Sequence, residues 1–278
     1  MRLTSLPELR GTQHPRAAWL LLIAIGLAIA MALHGPVAQW AGYHAFADAR
    51  AWWGLPNALN VLSNLPFALI GAWGLWGHSR GLPALPASRR AWWCFSAALC
   101  CTALGSAFYH WAPANASLVF DRLPIAWACA ALLCAFLGER VDSRWAAAPA
   151  LAAGLLIATG SVLWWWFTEQ RGQGDLRAYL FVQFLPMLLV PAAIWLRLPA
   201  LDAHAVCNGA WWAVLGLYAA AKGVELADHM IFDALGFTSG HTLKHLLAAA
   251  AAFVLLRSTL ARGARSQARP GATQPQLR

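Results

Sequence analysis

Eight apolar segments, each long enough to cross a lipid bilayer, divide this chain almost from end to end. A membrane-spanning helix needs about 20 predominantly apolar residues. The predicted spans are residues 17–33, 57–77, 91–111, 119–138, 146–167, 177–196, 208–232 and 240–260. Only 11% of the 278 residues are charged, whereas soluble domains carry about 25% charged residues. A soluble globular protein is therefore excluded, and the sequence predicts an all-α polytopic integral membrane protein.

The arginines predict the orientation of these spans. If the N-terminus is cytoplasmic, 13 arginines fall in the inside segments and 3 in or beside the outside connections. Cytoplasmic loops carry an excess of basic residues, so both termini are predicted to be cytoplasmic. The formal net charge of +9 is interpreted as this topology signal, and no nucleic acid partner is expected. The composition is rich in Ala and Arg and poor in Lys, which is typical of a high-GC bacterium and favours a bacterial inner membrane.

Both ends of the chain allow a prediction. The first apolar segment has features of a signal peptide, with Arg10 and Arg16 before it and Ala30–Ala32 at its end. Its length of about 17 apolar residues exceeds the usual hydrophobic region of a signal peptide, so an uncleaved anchor is favoured and cleavage is the alternative. Residues 261–278 lack apolar periodicity and are predicted to form a disordered basic cytoplasmic tail.

The polar residues within the spans are concentrated at one end of the predicted bundle. Ionisable side chains are costly in hydrocarbon, so each one is a candidate for function. In the predicted orientation this polar layer lies near the outer leaflet, and the inner halves of the helices are almost entirely apolar. Its members are Asn57, Asn60, Ser63, Asn64, Ser106, His110, Asp121, Lys222, Glu225, Asp228, His229, His241, Lys244 and His245.

Two spacings within this layer are typical of a metal site. His241 and His245 are four residues apart, so both imidazoles project from one face of a helix and can share a metal ion. Ser106 and His110 have the same spacing on another helix, and Asp121 follows at a similar depth. Three neutral imidazoles leave a fourth tetrahedral position for water, whose pKa zinc lowers towards neutrality. The pattern is therefore typical of a hydrolase.

Structural explanations of the same residues remain open. A histidine pair at a helix end can be interfacial polarity alone, and Ser106 can bond to its own backbone. Lys222 and Glu225 can form a structural ion pair, as can Glu225 and His229, and His229 is also an alternative ligand. Trp164–Trp166 is predicted to belong to an interfacial aromatic belt. Three further residues are predicted to hydrogen-bond between helices rather than bind a ligand: Asn60, Ser63 and Asn64.

Three motifs taken in order resemble the alkaline ceramidases. They are LNVLSNLPF at 59–67, GSAFYH at 105–110 followed by Asp121 in FDRLP, and GHTLKHLLAA at 240–249. That family belongs to a wider superfamily of seven-helix membrane metal-dependent hydrolases, which also includes progestin-receptor-like proteins. The resemblance covers residues 57–260 and implies a seven-transmembrane-helix catalytic core. Residues 1–56 then form an N-terminal cytoplasmic segment, one extra N-terminal transmembrane helix and an outer loop.

The resemblance also implies a site and a reaction. Zinc would be held by His110, His241 and His245, and Ser106 and Asp121 would complete the site. The implied reaction is hydrolysis of the N-acyl bond of a ceramide-like lipid, drawn from the bilayer, to a fatty acid and a sphingoid base or similar amine. Asp121 would orient or deprotonate the attacking water, while zinc and Ser106 would stabilise the oxyanion.

The resemblance is incomplete in one stretch. Eukaryotic alkaline ceramidases carry a calcium-binding acidic cluster before the first matched helix, whereas YHAFADARAWWGLPN in this chain offers only Asp48, with Asn57 near an expected glutamate. Calcium regulation is therefore not expected. The substrate can be another lipid amide or an ester.

Three other functions are weighed against this one. The first is a non-enzymatic receptor or lipid-binding membrane protein with a structural zinc, for which the site would have no position for water. The second is an ion-coupled transporter using Lys222, Glu225, Asp228 and His229, which would need polar groups through the whole bilayer depth. A serine hydrolase is the weakest, because Ser106 lacks a nucleophile-elbow context.

Overall fold

The computed structural model describes residues 15–80, 88–201 and 204–267. Within these ranges the chain is helical with no β-strand, so the predicted all-α fold is confirmed. The helices are α1 (Ala17–His34), α2 (Ala58–Leu62), α3 (Leu65–Ser79), α4 (Ser88–Trp111), α5 (Asn115–Arg140), α6 (Ala148–Glu169), α7 (Arg177–Trp195), α8 (Asn208–Leu226), α9 (Asp228–Leu235) and α10 (Gly240–Gln267).

Seven segments of the described chain are long and apolar enough to cross a membrane, as a polytopic membrane protein requires. They are α1, the α2–α3 pair, α4, α5, α6, α7 and the first part of α10. The predicted span 208–232 differs, because α8 ends at Leu226 and α9 follows after Ala227. Lys222 and Glu225 lower the mean hydropathy of α8, which places it outside this set. The backbone of α10 continues to Gln267, and the rest of the predicted tail, 268–278, lies outside the described residues.

Large aromatic side chains fill the core of the bundle where α4 and α8 begin and α5 ends. Trp92 of α4, Phe136 of α5 and Trp211 of α8 are fully buried in one apolar cluster. The helices α4 and α5 form an antiparallel hairpin joined by a short loop and pack along their length. On either side of this hairpin, α3 packs against α4 and α6 against α5, while α10 packs between α3 and α8.

The N-terminal helix is peripheral to this bundle. It packs mainly against α7 and contains one buried residue, Leu20. The loop that follows it, residues 35–57, returns across the end of the bundle where α4 ends and α5 and α10 begin. Its start is fixed to the α6–α7 connection, where the amide of Leu176 donates a 2.8 Å hydrogen bond to the carbonyl oxygen of Val37. We call residues 35–57 the capping loop.

The opposite end of the bundle also contains buried polar groups. Glu139 accepts hydrogen bonds from the indole nitrogen of Trp92 at 2.8 Å and from the amide of Val206 at 2.9 Å. Arg140 donates to the carbonyl oxygens of Leu198 and Val206. The sequence predicts almost purely apolar inner halves, and these residues differ because the α7–α8 connection folds over this end. The buried backbone groups of this connection need hydrogen-bond partners, and Glu139 and Arg140 provide them.

Asp175 stabilises the site end of the bundle in a pH-dependent way. Burial raises the pKa of Asp175, but hydrogen bonds from Arg177, Trp164 and the Val37 amide outweigh it and lower that pKa to about 2. A carboxyl group whose pKa is lowered on folding stabilises the fold above its unfolded pKa of about 3.9. We therefore expect Asp175→Asn to lower the unfolding temperature by a few degrees at pH 6, and the difference from wild type to vanish as the pH falls towards 2.

Thermal unfolding in detergent between pH 2 and pH 7 measures this difference. Asp233→Asn, on the exposed side of α9, is the matched control and should behave like wild type throughout. A difference between Asp175→Asn and wild type that did not change with pH would contradict the assignment.

Candidate metal centre

Three buried histidines meet at the end of the bundle that the capping loop covers. His110 lies in the last turn of α4, and His241 and His245 lie in the first two turns of α10. One ligand nitrogen from each ring can be chosen so that all three lie within 4.8 Å of one another. The Nε2 atoms of His110 and His241 are 3.2 Å apart. The structure thus brings together the three ligands that the sequence predicts, in a cluster that could hold a metal ion.

One distance within this cluster matches the spacing of two ligands on a tetrahedral ion. Two nitrogens bound to zinc at 2.0–2.1 Å and at the tetrahedral angle are about 3.3 Å apart, close to the 3.2 Å between His110 and His241. Burial removes these imidazoles from water, and Nδ1 of His110 has no hydrogen-bond partner. Three histidine nitrogens are one of the ligand sets that can hold a metal ion and leave a fourth position open.

Ser63 fixes the orientation of one of these imidazoles. Its hydroxyl group donates to the carbonyl oxygen of Asn60 at 3.1 Å and lies 2.7 Å from Nδ1 of His245. With the hydroxyl hydrogen on the Asn60 carbonyl, Nδ1 of His245 would donate to Ser63, and the Nε2 lone pair would be left for a metal. Partners of this kind set the tautomer of a metal-binding histidine. Ser63 was predicted to hydrogen-bond between helices, and it does so through a candidate ligand.

Ser106 and Asp121 lie with His245 in the wall of a partly open cavity. The cavity has a volume of about 210 Å³, and its polar end includes Ser106, Asp121 and His245. Ser106 is close enough to Asp121 for the two side chains to interact. Oδ1 of Asp121 is buried without a hydrogen-bond partner. The predicted site residues are thus assembled in one place.

Two glycines allow the helices that carry these residues to approach. A Cβ atom on Gly105 would lie 1.9 Å from the carbonyl oxygen of Phe120. Any side chain there would push α4 away from α5 and separate Ser106 from Asp121. A Cβ atom on Gly240 would likewise lie 1.9 Å from the carbonyl oxygen of Val224, so its absence lets the first turn of α10 reach α8.

Asp228 positions the start of α10. Its Oδ1 accepts from the amide of His241 at 2.6 Å, and its Oδ2 accepts from the amide of Ala47 in the capping loop at 3.0 Å. The first amides of a helix have no partner within the helix, so this carboxylate satisfies one of them and joins the loop to the histidine helix. His229 lies outside the cluster, because its Nε2 is 3.3 Å from the carbonyl oxygen of Ala45 on the exposed surface.

The capping loop closes the cluster with aromatic side chains. The ring of Phe46 lies 4.7 Å from that of His110 and 4.6 Å from that of His241. His44 holds the loop in place through the hydroxyl of Tyr109 at 2.9 Å and the side-chain oxygen of Asn115 at 2.8 Å. Sequence reasoning missed both loop residues, since no regular spacing places a loop over a site.

Asp48 is paired with an arginine in this loop. Arg50 donates to both oxygens of Asp48, at 2.8 Å each, and to the carbonyl oxygens of Gly236 and Phe237. These hydrogen bonds lower the pKa of Asp48, against the opposite effect of burial. Asn57 donates to the carbonyl oxygen of His110 at 2.8 Å. The Asp48–Arg50 pair and Asn57 therefore hold the capping loop against the site.

Arg122, next to Asp121, is enclosed by aromatic rings. Its guanidinium carbon lies 4.0 Å from the ring centroid of Trp165, 5.1 Å from that of Tyr179 and 5.3 Å from that of Tyr43. Trp165 was predicted to lie in an interfacial belt, but it is fully buried. The prediction is therefore wrong for Trp165. This ring faces inwards, where it makes a cation–π contact with Arg122.

The predicted Lys222–Glu225 pair is present and has a third member. Nζ of Lys222 lies 2.7 Å from Oε2 of Glu225, and Nζ of Lys244 lies 2.9 Å from Oε1 of Glu225. All three residues line the cavity that contains Asp121 and His245. We call Lys222, Glu225 and Lys244 the lysine–glutamate triad.

Together these features define an all-α polytopic membrane protein with a buried three-histidine cluster able to hold a metal ion. No family model matches the chain, and no curated protein matches it either. The argument for its function therefore rests on the site.

Proposed function

We propose that this protein is a zinc-dependent hydrolase of lipid amides, of the alkaline ceramidase type. The observation that carries the proposal is the set of three buried imidazoles beside a cavity lined by Ser106 and Asp121. A metal held only for structure needs neither a buried carboxylate oxygen without a hydrogen-bond partner nor an adjoining cavity. Both are needed by an enzyme that activates water and admits a substrate.

The shape of the cavity supports a lipid substrate. From His245 to Leu255, both in the cavity wall, α10 advances about 15 Å at 1.5 Å per residue. The wall beyond the polar end is apolar and includes Phe95, Leu99 and Leu132. An acyl chain that enters this part of the cavity leaves its carbonyl carbon at the polar end, beside the candidate ligands.

Each residue of the site has a chemical role in this proposal. His110, His241 and His245 hold the ion, which when bound polarises the amide carbonyl and lowers the pKa of water. Asp121 accepts a proton from the attacking water and delivers it to the departing amine. Ser106 donates a hydrogen bond to the carbonyl oxygen as negative charge develops there. Water adds to the carbonyl carbon, the C–N bond breaks, and the products are a fatty acid and an amine.

The same proposal includes a location. The excess of arginines in the predicted inside segments supports a chain with both termini in the cytoplasm, and a high-GC composition supports a bacterial inner membrane. The histidine cluster lies at the end of the bundle opposite the Arg144 connection, which supports a site near the outer leaflet. A lipid amide with its scissile bond close to the headgroup would reach that depth.

Metal analysis combined with a hydrolysis assay tests the proposal. We expect detergent-purified protein to contain about one zinc per chain and to release fatty acid from a fluorescent N-acyl sphingosine. A chelator should abolish both, and added zinc should restore both. Metal without release of fatty acid from any lipid amide or ester would favour a receptor with a structural ion, and protein without metal would contradict the proposed centre.

A further inference from the structure

The lysine–glutamate triad carries more positive charge than its own acid can neutralise. Two ammonium groups share one carboxylate, and each oxygen of Glu225 is taken by one lysine, at 2.7 Å and 2.9 Å. An ammonium group has three N–H donors. Glu225 accepts one from each lysine, so further donors of Lys222 and Lys244 remain for a ligand at the cavity wall.

The rest of the described cavity lining supplies one further carboxylate, that of Asp121. Its acidic residues are Glu225 and Asp121, so these two carboxylates balance the two lysines when the histidines are neutral. A divalent ion at the histidine cluster then adds two positive charges. Uncompensated charge is costly in a low-dielectric interior, and an anion bound in the cavity would reduce that cost.

The position of the triad shows which part of a substrate would meet it. Lys244 precedes the candidate ligand His245 in the chain, and Lys222 and Glu225 lie in the last turns of α8. The apolar wall that suits an acyl chain lies deeper, near Leu132 and Leu255. The triad therefore lies at the level of the scissile bond, where the amine half of a lipid amide would be held.

We propose that the substrate carries an anionic group on the amine side of its amide bond, bound by Lys222 and Lys244. The group is a carboxylate, as in an N-acyl amino acid, or a phosphate, as in an N-acyl phosphoethanolamine. Both accept charge-assisted hydrogen bonds from ammonium groups. The assignment of the amine side rests on the proposed hydrolase function, whereas the preference for an anion can be tested by binding alone.

Binding is measured with Ser106→Ala as the common background, which slows hydrolysis without changing the charge of the cavity lining. The probes are N-oleoylglycine and N-oleoyl phosphoethanolamine, which are anionic, and N-oleoylethanolamine, which is neutral and otherwise closely matched. We expect the Kd of at least one anionic probe to be about tenfold lower than that of the neutral probe. The probe that binds more tightly distinguishes a carboxylate substrate from a phosphate substrate.

Variants of the triad show whether the lysines cause the preference. Adding Lys222→Met or Lys244→Met should reduce the ratio of neutral to anionic Kd values to near one and leave the Kd of the neutral probe almost unchanged. Arg171→Met removes an exposed cation at the same end of the bundle and should preserve the ratio. Metal content is measured for each variant, because Lys244 adjoins His245 and Lys222 does not.

The outcomes separate this inference from the proposed function. Equal binding of anionic and neutral probes, or a ratio unchanged in Lys222→Met, would overturn the inference even if wild-type protein hydrolyses a lipid amide. A clear preference for an anion that is lost in both lysine variants would support the anion site even if wild-type protein hydrolyses none of the probes, in which case the proposed hydrolase function would be the part that fails.

Discussion

His245→Ala is expected to abolish metal binding and to reduce release of fatty acid by about a thousandfold. The substitution leaves two imidazoles in a buried site, and two neutral nitrogens do not hold a zinc ion against detergent and buffer. It also leaves the Ser63 hydroxyl without the partner that now lies 2.7 Å away. His110→Ala and His241→Ala should behave alike, because all three nitrogens belong to one cluster.

Metal content by elemental analysis and fatty acid release are measured on the same samples. His229→Ala is the matched control, since His229 lies near the site in sequence but on the exposed surface, and it should keep both metal and turnover. Full zinc occupancy in all three ligand variants would show that these histidines are not the ligands. Loss of metal from His229→Ala alone would indicate that His229 is a ligand.

Asp121→Asn is expected to keep the fold and the metal and to lower kcat by a factor of about 10² to 10⁴, the range for loss of a general base. The amide side chain has the same shape as the carboxylate but cannot accept a proton from water. Because Oδ1 of Asp121 has no hydrogen-bond partner, the substitution breaks no contact at that atom, and the loss should fall on turnover rather than on stability.

Three measurements are needed for this variant: kcat for fatty acid release, metal content and unfolding temperature. Asp142→Asn makes the same chemical change at the opposite end of the bundle, where Asp142 pairs with Arg144, and should leave kcat unchanged. If Asp121→Asn hydrolysed the substrate at the wild-type rate with its metal in place, another group would have to be the base.

Much of the fold follows from hydrophobic length alone, since a bilayer allows few ways to satisfy the backbone. Most helix ends lie within a few residues of the predicted ones. The differences occur where polar residues interrupt a span. Ser63 and Asn64 separate α2 from α3, and Lys222 and Glu225 precede the break at Ala227. In each case the interruption lies beside the histidine cluster.

The candidate site could be predicted where its residues lie on helices of known period. The four-residue spacing placed Ser106 with His110 and His241 with His245. The similar depth of Asp121 in its helix placed this carboxylate at the same level. Contacts that depend on tertiary packing could not be predicted this way. Three such contacts have no signature in a single sequence. They are the packing of Phe46 on the imidazoles, the pairing of Lys244 with Glu225 between two helices, and the stacking of Trp165 on Arg122.

The contact at Gly105 has a consequence for recognising relatives of this protein. With a Cβ atom excluded by the carbonyl oxygen of Phe120 at 1.9 Å, position 105 is constrained as tightly as any position that binds a ligand, although it contributes no side chain. A sequence fingerprint built only from histidine, serine and aspartate would accept chains whose α4 and α5 cannot come together. A fingerprint that also requires Gly105 and Gly240 selects for the spacing of the helices as well as for the chemistry they carry.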